Sequence, residues 1–160
     1  MAPEEATEPA APTSVVVGVD GSEASGRAAE WAAAQAERTG GRLEVISAWE
    51  FPMSWGNAIP LPSDFDPEAD ARAVIDPVVT ALRDAHPSLE IHLHVVEGHA
   101  ADVLVEASRR AALLVVSSRG HRSFSGVVLG SVSQHCVTHA ECPVVVVRTP
   151  SAPRHSRHSA

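Results

Sequence analysis

Residues 115–148 read VVSSRGHRSFSGVVLGSVSQHCVTHAECPVVVVR. The stretch starts inside an apolar run, Leu113 to Val116. A Gly/Ser/Arg loop follows over 117–126, then a helical stretch from Gly130 to Ala140, and Val144-Val145-Val146-Val147 closes it. Short, wholly apolar, β-branched runs are what strands buried on both faces require. Two such runs joined through a helix make a right-handed crossover between parallel strands.

The same grammar extends toward the N-terminus. Val15 to Val19 reads as a first strand, ended by Asp20-Gly21-Ser22, where Ser22 can N-cap a helix. That helix runs to about Thr39, is rich in alanine, and places Trp31 on its buried side. Gly40-Gly41 stops it, and Leu43 to Trp49 is a second strand. Residues 50–66 hold three prolines and no period. A loop beyond about 12–15 residues is usually functional, so a mobile cover over the site is expected, anchored by Phe51, Trp55 and Phe65. Ala71, Val74, Val78, Leu82 and Ala85 then recur at helical spacing, with Pro77 either kinking that helix or opening a new one. Ile91 to Val96 is a third strand and Ala101 to Arg110 a third helix. Strands alternating with helices predict a parallel α/β sheet covered on both sides. Such open sheets bind ligands at the carboxyl ends of their strands, where strand order reverses. Asp20 and the loop from Ser117 both fall at strand ends.

Composition sets outer limits. The 160 residues suit one domain, 13–149, between an acidic tail over 1–12 and a tail over 150–160, both expected to be disordered. The net charge is −8, which argues against nucleic acid as the main partner. No apolar run reaches the ~18 residues of a membrane span, and MAPEEATEPAAPTS lacks the features of a secretory signal. Lysine is absent, which excludes Schiff-base chemistry and a lysine-dependent phosphate loop. Cys136 and Cys142 read as reduced thiols in a cytoplasmic protein, with Cys142 a buried apolar residue.

The loop after the fourth strand carries the chemistry. It leads into Gly130-Ser131 at a helix start, where unpaired backbone N–H groups attract anions. Gly120 and Gly130 let a ligand approach the backbone, Ser131 adds a hydroxyl, and Arg119, His121 and Arg122 add positive charge. Together they can cradle phosphate. Asp20 could hold a ribose hydroxyl or a metal ion on phosphates; its structural alternative is to cap the first helix with Ser22. His135 and His139 stand i, i+4 on one helix face, and His92 and His94 share one face of a strand. Without an HExxH glutamate both pairs read as structural or surface residues, and no side-chain metal cluster is expected.

The run from Val115 to Arg148 resembles the C-terminal half of a universal stress protein. That family shows glycine, two residues, glycine, nine residues, then glycine and serine or threonine. Here Gly120 and Gly130-Ser131 keep the second spacing, and Ser117 stands at the first glycine. VVVGVDGSEASGRAAEWAA, from Val15, resembles the family's opening strand, aspartate and helix. The resemblance covers about residues 14–148. It implies a Rossmann-like sheet of five parallel strands in the order 3-2-1-4-5, with ATP between the first and fourth strands. It further implies Val19 and Ala48 along the adenine, and Asp20 toward ribose and phosphate, with Mg possible there. Gly120, Gly130, Ser131 and Val132 would hold phosphates and ribose, with Val116 and Ser117 at the site and Arg119 and His121 within reach of phosphate. A homodimer through Val144–Val147 is implied as well, and an edge strand of four valines invites pairing on its own account. The leading expectation is an ATP-binding regulatory protein with an unidentified protein partner and little or no hydrolysis. An interaction module that has lost nucleotide through Ser117 is the alternative, and a slow ATPase a third.

Overall fold

The computed structural model describes residues 13–51, 61–120 and 129–150. Five strands carry the sheet: β1 (Ser14–Gly18), β2 (Arg42–Trp49), β3 (Ile91–Glu97), β4 (Leu113–Ser117) and β5 (Val144–Val147). Four helices alternate with them: α1 (Glu23–Thr39), α2 (Pro67–Ala85), α3 (Ala100–Ser108) and α4 (Ser131–His139). The strands run parallel in the order β3-β2-β1-β4-β5. The expected fold class is therefore the one observed. Residues 1–12 and 151–160 of the two tails, residues 52–60 of the expected covering loop and residues 121–128 lie outside the described residues. Among the described residues, no helix is long and apolar enough to cross a membrane.

Side-chain alternation splits the core in two. Val15, Val17, Leu43 and Val45 point to one face and pack with α1 and α2. Val16, Ile46, Leu114 and Val116 point to the other and pack with Leu104 of α3 and Cys136 of α4. Gly18 ends β1 beneath α3: a Cβ there would lie 2.7 Å from Leu104 Cδ1, so glycine lets the helix settle on the strand.

Trp31 is not on the buried side of α1 but 36% exposed. The buried stripe is Ala28, Ala29, Ala32, Ala33 and Ala36. Alanines bring the helix axis close to the sheet, and an indole does not fit in that narrow gap. The expected apolar stripe of α2 is also out of phase. Ile75, Val79 and Leu82 are buried, whereas Val74 is 55% exposed. Pro77 neither opens a helix nor ends one. α2 is a single helix that begins ten residues earlier, where Asp66 accepts from the Ala69 N–H at 3.0 Å and Pro67 occupies the first turn. Pro77 lies on the exposed side, so the carbonyl it leaves without a helical donor can bond to water.

Both cysteines are free thiols. Cys136 is fully buried, and loss of solvation pushes its pKa up to about 11. Cys142 is only half-buried, packed at the margin of the second core cluster. β5 forms one edge of the sheet, its four valines half-buried.

Candidate functional site

β1 and β4 are neighbours, yet the chain leaves β1 toward β2 on one side and β4 toward β5 on the other. Their carboxyl ends therefore part, and a cleft of about 700 Å³ opens between them.

The β1 side is fixed by a ring of short hydrogen bonds. The Val19 N–H donates to the Ile46 carbonyl at 2.9 Å, continuing the ladder past the strand end. Asp20 Oδ1 accepts from the Ser22 N–H at 2.9 Å and from the Ser22 hydroxyl at 2.5 Å. Ser22 Oγ accepts from the Ser25 N–H at 3.2 Å, which makes it the N-cap of α1. Ser25 Oγ in turn accepts from the Asp20 N–H at 3.2 Å and donates to the Ser22 carbonyl at 3.0 Å. The capping role weighed for Asp20 is thus real, and it also holds the carboxylate at the cleft. Ser25 does as much positioning as Ser22, but a serine inside a helical stretch gives no sign of this in the sequence.

The β4 side is pinned in the same manner. The Ser118 N–H donates to the Val147 carbonyl at 2.9 Å, and the Gly130 N–H donates to the Ser118 carbonyl at 2.7 Å. The start of α4 is thereby tied to the exit of β4. Ser117 is the last residue of β4, paired with Val147 in ordinary strand register. Its hydroxyl donates to the Arg119 carbonyl at 2.7 Å. Gly120 then crosses to face Asp20: a Cβ at Gly120 would lie 2.7 Å from Asp20 Oδ2. The close approach, not a special backbone angle, is what requires glycine there.

Gly130 sits at the N-cap of α4 with φ −68° and ψ 163°, and among the described residues no side-chain hydrogen bond caps the helix. The amides of its first turn, around Ser131 and Val132, lie on the cleft wall. The structure brings Val19, Asp20, Ala48, Val116, Ser117 and Arg119 to one cleft with Gly120, Gly130, Ser131 and Val132. His121 lies outside the described residues. Glu50, His99 and Gln134 also line the cleft, brought in by strand and helix ends that no motif marks.

The two histidine pairs part company. His135 and His139 stack with ring centroids 4.2 Å apart, and His135 Nε2 lies 3.5 Å from Asp102 Oδ1. His92 and His94 instead converge on Glu44, which the sequence does not connect with them.

Residues 13–148 match the family model described as the universal stress protein family. Universal stress protein Rv1996 of Mycobacterium tuberculosis is 36% identical over 163 residues, covering 94% of this chain and 48% of the relative. A universal stress protein of Mycolicibacterium smegmatis is 33% identical over 135 residues, covering 84% of this chain and 45% of the relative. The chain thus spans about half the length of the curated relatives it matches. Among solved structures, a universal stress protein in complex with cAMP aligns with TM-score 0.67 and 28% identity, over 88% of this chain and 99% of that one. UspA from Lactobacillus plantarum shares the fold, with TM-score 0.61 and 21% identity over 88% of this chain and 100% of that one. Matched over nearly the whole of its sheet and helices, this chain belongs to the universal stress protein family.

Proposed function

We propose that the chain binds an adenine nucleotide, ATP first, in the cleft between β1 and β4, as a regulatory ligand in stress response. The carrying observation is the pairing of Gly120 with Asp20 beside the start of α4. A backbone held that close to a carboxylate, facing helix amides, suits a ligand with a hydroxylated sugar and an anionic tail. In this reading Val19 and Ala48 flank the adenine, and Asp20 takes the ribose hydroxyls or a magnesium ion on the phosphates. Gly120, Gly130, Ser131 and Val132 present amides and a hydroxyl to ribose and phosphate, with Arg119 adding charge. When bound, magnesium would supply charge neutralisation along the phosphates. The 28%-identical structure in complex with cAMP supports the adenine class.

Ser117 speaks for the same reading. It has strand geometry, and its hydroxyl turns to Arg119. Its ordinary strand register needs no left-handed backbone, which supports a serine at this position of the cleft wall. The reading includes little or no hydrolysis, which the engagement of Asp20 Oδ1 by Ser22 supports. The edge strand β5 supports a homodimer closed about that strand, and sedimentation at the monomer mass would contradict it.

Melting curves with magnesium and ATP test the ligand. At a hundred times Kd the fold gains about 2.7 kcal/mol. Mass spectrometry of small molecules released from the purified chain is expected to find adenine nucleotide. No melting shift at millimolar ATP, with no nucleotide released, would overturn the proposal.

A further inference from the structure

Away from the cleft, on the sheet face that carries α3, three side chains point their ligand atoms at one another. Glu44 lies on β2, directly across from His92 on β3, and His94 is one side-chain repeat further along the same face. Glu44 Oε2 is 2.5 Å from His94 Nε2 and 3.6 Å from His92 Nδ1. All three ligand atoms lie within 4.8 Å of one another. We propose that Glu44, His92 and His94 form a binding site for a zinc-class divalent ion, independent of the nucleotide cleft.

The donor set and its surroundings both fit. Two imidazole nitrogens and one carboxylate oxygen are the ligands zinc takes when a fourth position is left open. Tetrahedral zinc with bonds of about 2.0–2.1 Å sets neighbouring ligands about 3.3 Å apart, close to the 3.6 Å separation; the 2.5 Å contact would open by about 0.8 Å as His94 Nε2 gives up its proton to solvent and takes the ion instead. Outer partners are in place. His92 Nε2 lies 2.8 Å from Glu90 Oε1, so that carboxylate stands beside the ring nitrogen that does not face Glu44. Arg42 Nε donates to the other oxygen of Glu44 at 2.5 Å, which fixes the carboxylate and leaves Oε2 to the ligand.

Glu44 is itself well suited. Its side chain is only 13% exposed, and Arg42 holds one carboxylate oxygen in place. Beside it a groove of about 730 Å³ runs between the sheet and α3, giving access for the ion and for a water or other ligand in the fourth position. Asp102 and Glu106 of α3 face Glu44 across this groove. With Glu90 they make four carboxylates, against the arginines Arg42 and Arg110 and Arg109, which pairs with Glu106 at 3.3 Å, so carboxylates outnumber guanidinium groups around the site.

The test is competition between the full chain and a chromogenic zinc chelator, in a buffer without phosphate. The unaltered chain is expected to take one zinc ion at micromolar concentration. Cobalt(II) in its place should give the intense visible bands of a four-coordinate site. His92→Ala and His94→Ala should each weaken binding about tenfold or more, and the double variant should lose the ion. His135→Ala/His139→Ala should bind as the unaltered chain does. Circular dichroism and the ATP melting shift report folding and the nucleotide site in the same samples, so a failure here is distinct from a failure there. Zinc retained by the His92→Ala/His94→Ala double variant, or no zinc taken up at micromolar concentration by the folded chain, would overturn the proposal.

Discussion

The two faces of the sheet are covered unequally. α1 and α2 have 17 and 19 residues, roughly 25–29 Å of helix at 1.5 Å per residue, and they span the face that holds Leu43, Val45 and Val17. α3 and α4 have 9 residues each, about half that length, and they leave part of β2 and β3 on the other face uncovered. The strand pattern follows the cover. Under long helices, alternate residues are valine, leucine and isoleucine; beyond the reach of α3 the same strands turn to Glu44, His92 and His94. Long cover supplies stability. Short cover leaves a face where polar side chains converge.

The inequality can be broken or sharpened by measurement. Leu43 is fully buried on the long-helix face, and Leu43→Ala is expected to cost about 2–5 kcal/mol in urea unfolding, with an unchanged denaturant slope. A loss below about 1 kcal/mol would mean that this face is not the principal core.

A smaller effect belongs to the short-helix face. Cys136 is buried there with its thiol pushed up to about 11, whereas an unfolded thiol titrates near 8.5. The folded chain therefore keeps a proton that the unfolded chain releases. This contribution is whole below pH ~8.5 and is lost as pH rises toward 11, amounting to about 3 kcal/mol. The sequence contains no lysine and no tyrosine, so few other side chains titrate in that window. Denaturant unfolding from pH 8 to 10.5 should show the decline, and Cys136→Ala should flatten it. An equally steep decline in the variant would assign it elsewhere.

The smallest effect is at the open patch. His94 is 48% exposed, and without metal His94→Ala should shift stability by no more than about 0.5 kcal/mol. A cost near that of Leu43→Ala would erase the contrast between the faces.

Legibility in the sequence follows the range of the interaction. The β-branched runs and the residues that stop them mark each strand, because burial on both faces leaves no other composition. The start of α2 was less visible: its cap, Asp66, sits among prolines that read as loop, and Pro77 disturbed the phase of the apolar stripe. The exposure of Trp31 is not legible because the close helix–sheet contact, which selects alanine for the buried stripe, is a tertiary feature. The cleft residues were named through a family motif, and their meeting rests on the reversal of strand order between β1 and β4. Glu44 could not be joined to His92 and His94 without the β2–β3 register, which depends on residues almost fifty positions apart. Ser25 lacked any signal, since its role depends on where the Asp20 amide points.

The central claim is that the close pass of Gly120 beside Asp20 builds a nucleotide site. Isothermal titration of magnesium-ATP into the full chain and into Gly120→Ala tests it most directly. The added Cβ would stand 2.7 Å from Asp20 Oδ2 and displace that carboxylate, and because Asp20 Oδ1 also holds Ser22 at the start of α1 the ligand-free fold is expected to lose about 0.5–2 kcal/mol. The predicted result is one nucleotide bound per unaltered chain and affinity weaker by about tenfold or more in the variant, a loss of about 1.4 kcal/mol or more. Equal affinity in the two proteins, or no binding by the folded unaltered chain at millimolar ATP, would contradict it.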